Sequence, residues 1–136
     1  MRIMAIDYGD ARIGLALSDP TGTLCGSAWT LAEWDQERAA EQVCAAASEH
    51  GAERLVLGLP KNMDGSEGPR AEKSRAFRAL LEEKSGLEVV LWDERLTTVQ
   101  AHAILHAVGK KEKKHRQNVD AVAASLILES YLGSLK

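Results

Sequence analysis

Apolar positions early in the chain come in short runs broken by turn residues. Residues 2–7 form an apolar run that ends on Asp7, and Tyr8-Gly9-Asp10-Ala11 reads as a turn. Residues 12–19 then read as a paired antiparallel strand, Pro20 to Gly22 as the next turn, and 23–31 as a third strand. From residue 37 the period changes. Ala and Glu dominate 37–51, with apolar residues at helical spacing and Gly51 as the stop, which predicts a helix. A short apolar strand over 54–59 halts at Pro60, and a polar loop over 61–69 leads into a helix over about 70–84, ended by Gly86. Residues 87–92 read as the last strand, 98–108 as a helix and 117–132 as the closing helix. Three strands followed by helix–strand–helix–strand–helix–helix predict an α/β fold. Its mixed five-stranded sheet has the first three strands antiparallel and helices on its faces, in one domain over residues 1–136.

The composition changes this picture little. A chain of 136 residues can bury roughly two-thirds of its unfolded surface, enough for a core without staples. Its 45% hydrophobic and 27% charged residues are ordinary for a globular protein. No apolar stretch approaches the ~20 residues of a membrane span, and the chain opens on a strand, so the expectation is a cytoplasmic protein with no membrane partner. Cys25 and Cys44 have no metal or redox spacing and read as buried free thiols. A formal net charge of −3 argues against a general nucleic-acid coat and leaves room for local basic patches.

The candidate chemistry lies in three acids. Asp7 ends the first strand, Glu94 follows the last, and Asp120 sits in the first turn of the closing helix. In an open α/β sheet, sites gather beyond the carboxyl ends of the parallel strands, where Asp7 and Glu94 fall. A desolvated acid needs a partner, and three converging ones suit Mg²⁺ or Mn²⁺, which take a few carboxylates plus water and substrate phosphate. Two such ions about 4 Å apart would activate a water and stabilise the leaving oxygen of a phosphodiester. Asp7 is then the bridging ligand, because a first strand of this kind is central. Asp93 should point to the opposite face of its strand. Taken singly, each acid also serves as an ordinary turn or helix-start residue.

Other polar positions surround these. In the loop after the fourth strand, Asn62, Gly65 and Ser66 can reach a substrate, with Ser66 also able to cap the next helix; a surface turn is the plain alternative. Arg12 and Arg95 lie near the strand acids, where a guanidinium either clamps a phosphate or pairs with a carboxylate. Structural pairing is favoured for Arg12, and Arg95 stays open. Thr97 and Thr98 read as caps of the helix that starts there. Lys110, Lys111, Lys113, Lys114 and Arg116 form the one dense basic cluster, directly before Asp120, suited to phosphates without sequence readout. His102 and His106 are one helical turn apart but read as structural, and Trp29, Trp34, Trp92 and Phe77 as core or edge packing.

The segments Ala5-Ile6-Asp7-Tyr8-Gly9 with Arg12 to Asp19, Gly58-Leu59-Pro60 with Asn62 to Gly68, Asp93 to Thr98, and Val119-Asp120-Ala121 closely resemble the YqgF family of Holliday-junction-resolvase-like proteins. The likeness covers nearly the whole chain. It implies a ribonuclease H-like fold, a cytoplasmic location and phosphodiester hydrolysis, with Asp7, Glu94 and Asp120 as the family's acids. It further implies maturation of the 5′ end of the small-subunit ribosomal RNA. Asp10 departs from the basic residue expected there in many members, which counts against a phosphate contact from that turn. Some ribonuclease H-like enzymes use four acids where three stand here, so a second metal would bind weakly or with substrate.

Two alternatives belong beside this reading. The Asp7-Tyr8-Gly9 turn also resembles the first phosphate loop of actin-like ATPases and sugar kinases, but those need two such domains. A non-catalytic nucleic-acid adaptor is the other. Among nuclease substrates, structured RNA precursor ranks above branched DNA on resemblance alone. Monomer and homodimer both stay open.

Overall fold

A computed structural model of the chain describes residues 1–97 and 116–135, with the side chains of 116–120 outside the description. The elements are β1 (Ile3–Tyr8), β2 (Arg12–Ser18), β3 (Cys25–Ala32), α1 (Gln36–His50), β4 (Arg54–Leu59), α2 (Pro69–Ser85), β5 (Val89–Asp93) and α3 (Arg116–Ser134). A short 3-10 turn, Glu94–Thr97, follows β5. The expected helix over 98–108, with His102 and His106, and the lysines at 110, 111, 113 and 114 lie outside the described residues. The five strands lie in the order β3-β2-β1-β4-β5. β1 pairs antiparallel with β2, and β2 with β3, while β1–β4 and β4–β5 are parallel. This is the mixed sheet that the strand spacing predicts, with β1 at its centre.

Both sheet faces are covered, so β1 and β4 are apolar at nearly every position. Met4, Ile6, Leu15, Leu55 and Leu57 meet α1 and α2 on one face, packed with Phe77 and Leu81. Tyr8 belongs to this side too, its ring stacked on Phe77 at 3.9 Å. On the other face Ile3, Ala5, Ala16 and Val56 meet Ala124, Ile127, Leu128 and Tyr131 of α3. The small alanines let that helix lie close to the strands. The Arg54 guanidinium donates to the Tyr131 hydroxyl at 2.9 Å, fixing the C-terminal half of α3 over the start of β4.

The element ends show what the apolar pattern could not. β3 begins at Cys25 rather than at residue 23, because the Asp19 carboxylate organises the preceding loop. It accepts the N–H groups of Thr23 and Leu24 at 2.7 and 2.9 Å and the Thr21 hydroxyl. Those donors hold the Asp19 carboxyl well below the usual carboxylate range. α1 starts one residue early, since Asp35 accepts the Arg38 N–H at 2.9 Å as its N-cap, and Gly51 ends it at φ 72°. Cys25 and Cys44 are free but half-buried, not buried as expected. Trp34, expected to pack, is 78% exposed, because it sits in the β3–α1 connection with no layer above it.

Candidate active site

Strand alternation puts Asp7 on the α3 face with Ile3 and Ala5, just where β1 runs out beside β4. Glu94 comes to the same face by a different route. It opens the 3-10 turn after β5 rather than closing the strand, and its side chain lies back over Gly58 of β4. A Cβ at position 58 would stand 3.1 Å from both Cγ and Cδ of Glu94 and 2.7 Å from Cδ1 of Ile127. The missing side chain is therefore the room that the carboxyl occupies.

Burial first, and then the charge of the neighbouring Asp7 and a hydrogen bond with it, together push the Glu94 carboxyl up to about 7. Arg70 works against the rise, and Asp93 adds to it weakly. Two acids pressed together on one face resist ionising together, a repulsion that a nearby cation would offset. Asp93 turns to the α2 face as the alternation requires, and its carboxylate is occupied there by Arg95.

For residue 120 only the backbone of α3 is described. α3 runs antiparallel to β4, with Tyr131 over Arg54 at its start and Ile127 over Gly58 near its end. Its N-terminal turns thus overhang the edge that carries Asp7 and Glu94. Position 120 is the fifth residue of α3, one position past the first turn where it was expected, because the helix starts at 116 rather than 117. It precedes Ala124 by one turn and Ile127 by two, on the stripe laid against the sheet, about 10 Å along the axis from Ile127. Among the described residues no three His, Cys, Asp or Glu side chains form a group able to hold a metal.

A cleft of about 510 Å³ opens over the two acids, lined also by Tyr8, Pro60, Lys61, Met63, Arg70 and Arg95. One wall is a small hairpin. Lys61 pairs with Glu67, the Asn62 N–H donates to the Ser66 carbonyl at 2.9 Å, and the Gly65 N–H donates to the Asn62 carbonyl at 2.9 Å. Gly65, at φ 90°, supplies the left-handed residue that this turn requires.

Several expectations for this wall are corrected. The Asn62 amide donates to the Ser66 hydroxyl at 3.0 Å, and that hydroxyl donates to Asp64 at 2.6 Å. Ser66 therefore does not cap α2, whose N-cap is Gly68, two residues further on. Gly65 faces protein instead of open space, with a guanidinium nitrogen of Arg95 3.3 Å from where its Cβ would stand. Arg95 itself is forked onto Asp93 at 2.7–3.1 Å, so its open choice resolves to pairing. Arg12 is exposed at the start of β2, and the expected ion pair is not found among the described residues. Asp10 pairs with Lys73 at 2.9 Å. Thr97 is buried inside the 3-10 turn and donates to the Glu94 carbonyl at 2.8 Å rather than capping a helix. Thr98 lies outside the described residues.

The sequence put the loop from Lys61 to Gly68 within reach of a substrate without singling out Lys61 or Met63, and it did not point to Arg70. The signal was present, since all three follow β4 at the edge where a parallel strand delivers its ligand-binding loop.

Among solved structures, the chain superposes on Thermus thermophilus RuvC in complex with a Holliday junction substrate with a TM-score of 0.66, at 12% identity, over 100% of this chain and 97% of that one. The fold is that of RuvC, within the ribonuclease H-like class. The family model described as "RuvX: Holliday junction resolvase" matches residues 1–134. A protein of Acetivibrio thermocellus named "Putative pre-16S rRNA nuclease" is 42% identical, covering 98% of this chain and 96% of its own. One of the same name from Pelotomaculum thermopropionicum is 44% identical, covering 98% and 88%. The chain belongs to the RuvX family, also called YqgF, a family of nucleases that hydrolyse phosphodiester bonds.

Proposed function

We propose that this protein is a metal-dependent endonuclease that processes the 5′ end of pre-16S ribosomal RNA in the cytoplasm. Asp7, Glu94 and Asp120 hold Mg²⁺ or Mn²⁺ in this reading. The observation that carries it is the meeting of Asp7 and Glu94 on one sheet face, beneath a helix whose stripe includes position 120. The donor set fits a hard divalent cation, because carboxylate oxygens supply its preferred ligands and its charge offsets their repulsion. When bound, the ion lowers the pKa of a water and stabilises charge on the phosphate. The chain's part is to orient these groups. β1 and β4 fix Asp7 in the sheet centre, and Gly58 leaves the space in which Glu94 turns toward it. The basic run Lys110, Lys111, Lys113, Lys114 and Arg116 adjoins Asp120 in sequence and serves the flanking backbone phosphates. The names of the two relatives support ribosomal RNA as substrate.

Asp7→Asn should abolish Mg²⁺- or Mn²⁺-dependent cleavage of a precursor RNA carrying the 5′ leader, with folding unchanged by circular dichroism. Equal cleavage by the variant and the wild type would refute the assignment. A second reading, resolution of branched DNA, is favoured by the family description and the likeness to RuvC. Running a four-way DNA junction beside the RNA separates the two. Faster cutting of the junction would reverse the order.

A further inference from the structure

The cations at this edge of the sheet divide into those already engaged and those that are not. Arg95 is forked onto Asp93, Arg75 onto Glu67 at 2.7 and 2.8 Å, and Lys73 holds Asp10. Each has its charge matched by a carboxylate within hydrogen-bond reach. Two cleft residues remain, Lys61 and Arg70, and neither enters an ion pair among the described residues. They are not equivalent. Lys61 stands on the hairpin stem, where its charge acts on Glu67 and Asp93. Arg70 stands in the first turn of α2, is exposed, and its charge acts on Glu94 across the cleft as well as, weakly, on Asp10, which Lys73 already holds.

A phosphodiester entering this cleft brings a negative charge to a floor made of two acids. A cation that ligates the acids neutralises them, and the phosphate still needs a donor on its outer side. A guanidinium suits that task, since its planar fork can meet two oxygens at once and keeps its charge at any working pH.

We propose that Arg70 is a catalytic residue of this site, its guanidinium holding the two non-bridging oxygens of the scissile phosphate over the Asp7–Glu94 pair. The inference rests on the nuclease reading given above. In the hydrolysis, a bond forms from the water oxygen to phosphorus as the bond from phosphorus to the leaving oxygen breaks. The water gives up one proton to solvent, and the leaving oxygen takes one up. Arg70 exchanges no proton. It stabilises the charge that grows on the non-bridging oxygens.

The test compares wild type, Asp7→Asn, Arg70→Ala, Arg70→Lys and Lys61→Ala on one precursor RNA with Mg²⁺. Arg70→Ala should lower kcat by roughly 10²–10³-fold, as loss of a preorganised donor does, and raise KM by much less, while its melting curve overlays that of the wild type. Arg70→Lys should recover part of the rate, and Lys61→Ala should lose less than Arg70→Ala. In an Asp7→Asn background, where RNA is bound and not cut, adding Arg70→Ala should reduce the slope of log affinity against log salt by about 1. Wild-type kcat in Arg70→Ala, full activity in Arg70→Lys, or a greater loss in Lys61→Ala would overturn the proposal while leaving the nuclease reading standing. A wild type that cuts nothing would refute the nuclease reading itself. The binding arm would then decide the phosphate contact alone, and an unchanged salt slope would overturn it.

Discussion

The two faces of the sheet are packed from different materials. Toward α1 and α2 the strands present Met4, Ile6, Leu15, Leu55 and Leu57, met by Phe77 and Leu81, all fully buried. Toward α3 they present Ile3 and Val56, but between and beyond these the small residues Ala5, Ala16 and Gly58. Large interlocking side chains maximise the apolar area removed from water, which is the main source of stability. Small ones give up part of that area. They bring the helix carrying Asp120 close to the strands and leave a hollow in which an acid can sit. Both faces hold the molecule together, but only the α3 face leaves such a hollow at its edge.

The largest effect should follow from opening the face toward α1 and α2. Phe77→Ala removes a fully buried ring stacked on Tyr8 and should cost about 3–5 kcal/mol by urea denaturation. Below its melting temperature the variant should keep most of its metal-dependent cleavage. A loss of activity greater than its unfolded fraction explains would show that the faces are coupled.

Filling the hollow tests the converse. Gly58→Ala places a methyl group against Ile127 and the Glu94 carboxyl, an overpacking cost of about 1–3 kcal/mol. Cleavage should fall further than stability, because the displaced atoms are those of the site. Full activity with Glu94 undisturbed would mean that the hollow is not needed.

The smallest effect is a slope. Glu94 has an ordinary value of 4.5 and is raised to about 7 in the folded chain. Between those values the folded state binds more protons than the unfolded one, so this group makes stability decline as pH rises through that window. Metal-free protein should show the decline in chemical denaturation from pH 4.5 to 7, Glu94→Gln should remove it, and Mg²⁺ should reduce it. A decline that persists in Glu94→Gln would assign it to another group.

The strands, the helices among the described residues and the facing of Asp7 were legible in the sequence because they depend on periodicity, which is local. The facing of Asp93 followed from the same alternation, whereas Glu94 takes its place from the 3-10 turn that follows the strand. What could not be read was partner choice. Nothing near Arg95 in the chain decides between a phosphate and Asp93, and Ser66 looks like a helix cap until the hairpin claims its hydroxyl. The role of Gly58 was equally hidden, since a glycine in a strand gives no sign of which side chain fills its place. Arg70 went unnoticed because a charged residue at a helix start has an ordinary explanation. Only the pairing of its neighbours sets it apart.

The hairpin over the cleft is tied to α2 through Glu67 and Arg75, and its turn at Gly65 lies beside the Arg95 guanidinium of the 3-10 turn. A wall so held keeps a constant distance from the floor beneath it. In the proposed nuclease, that gap would set how wide a strand the cleft admits.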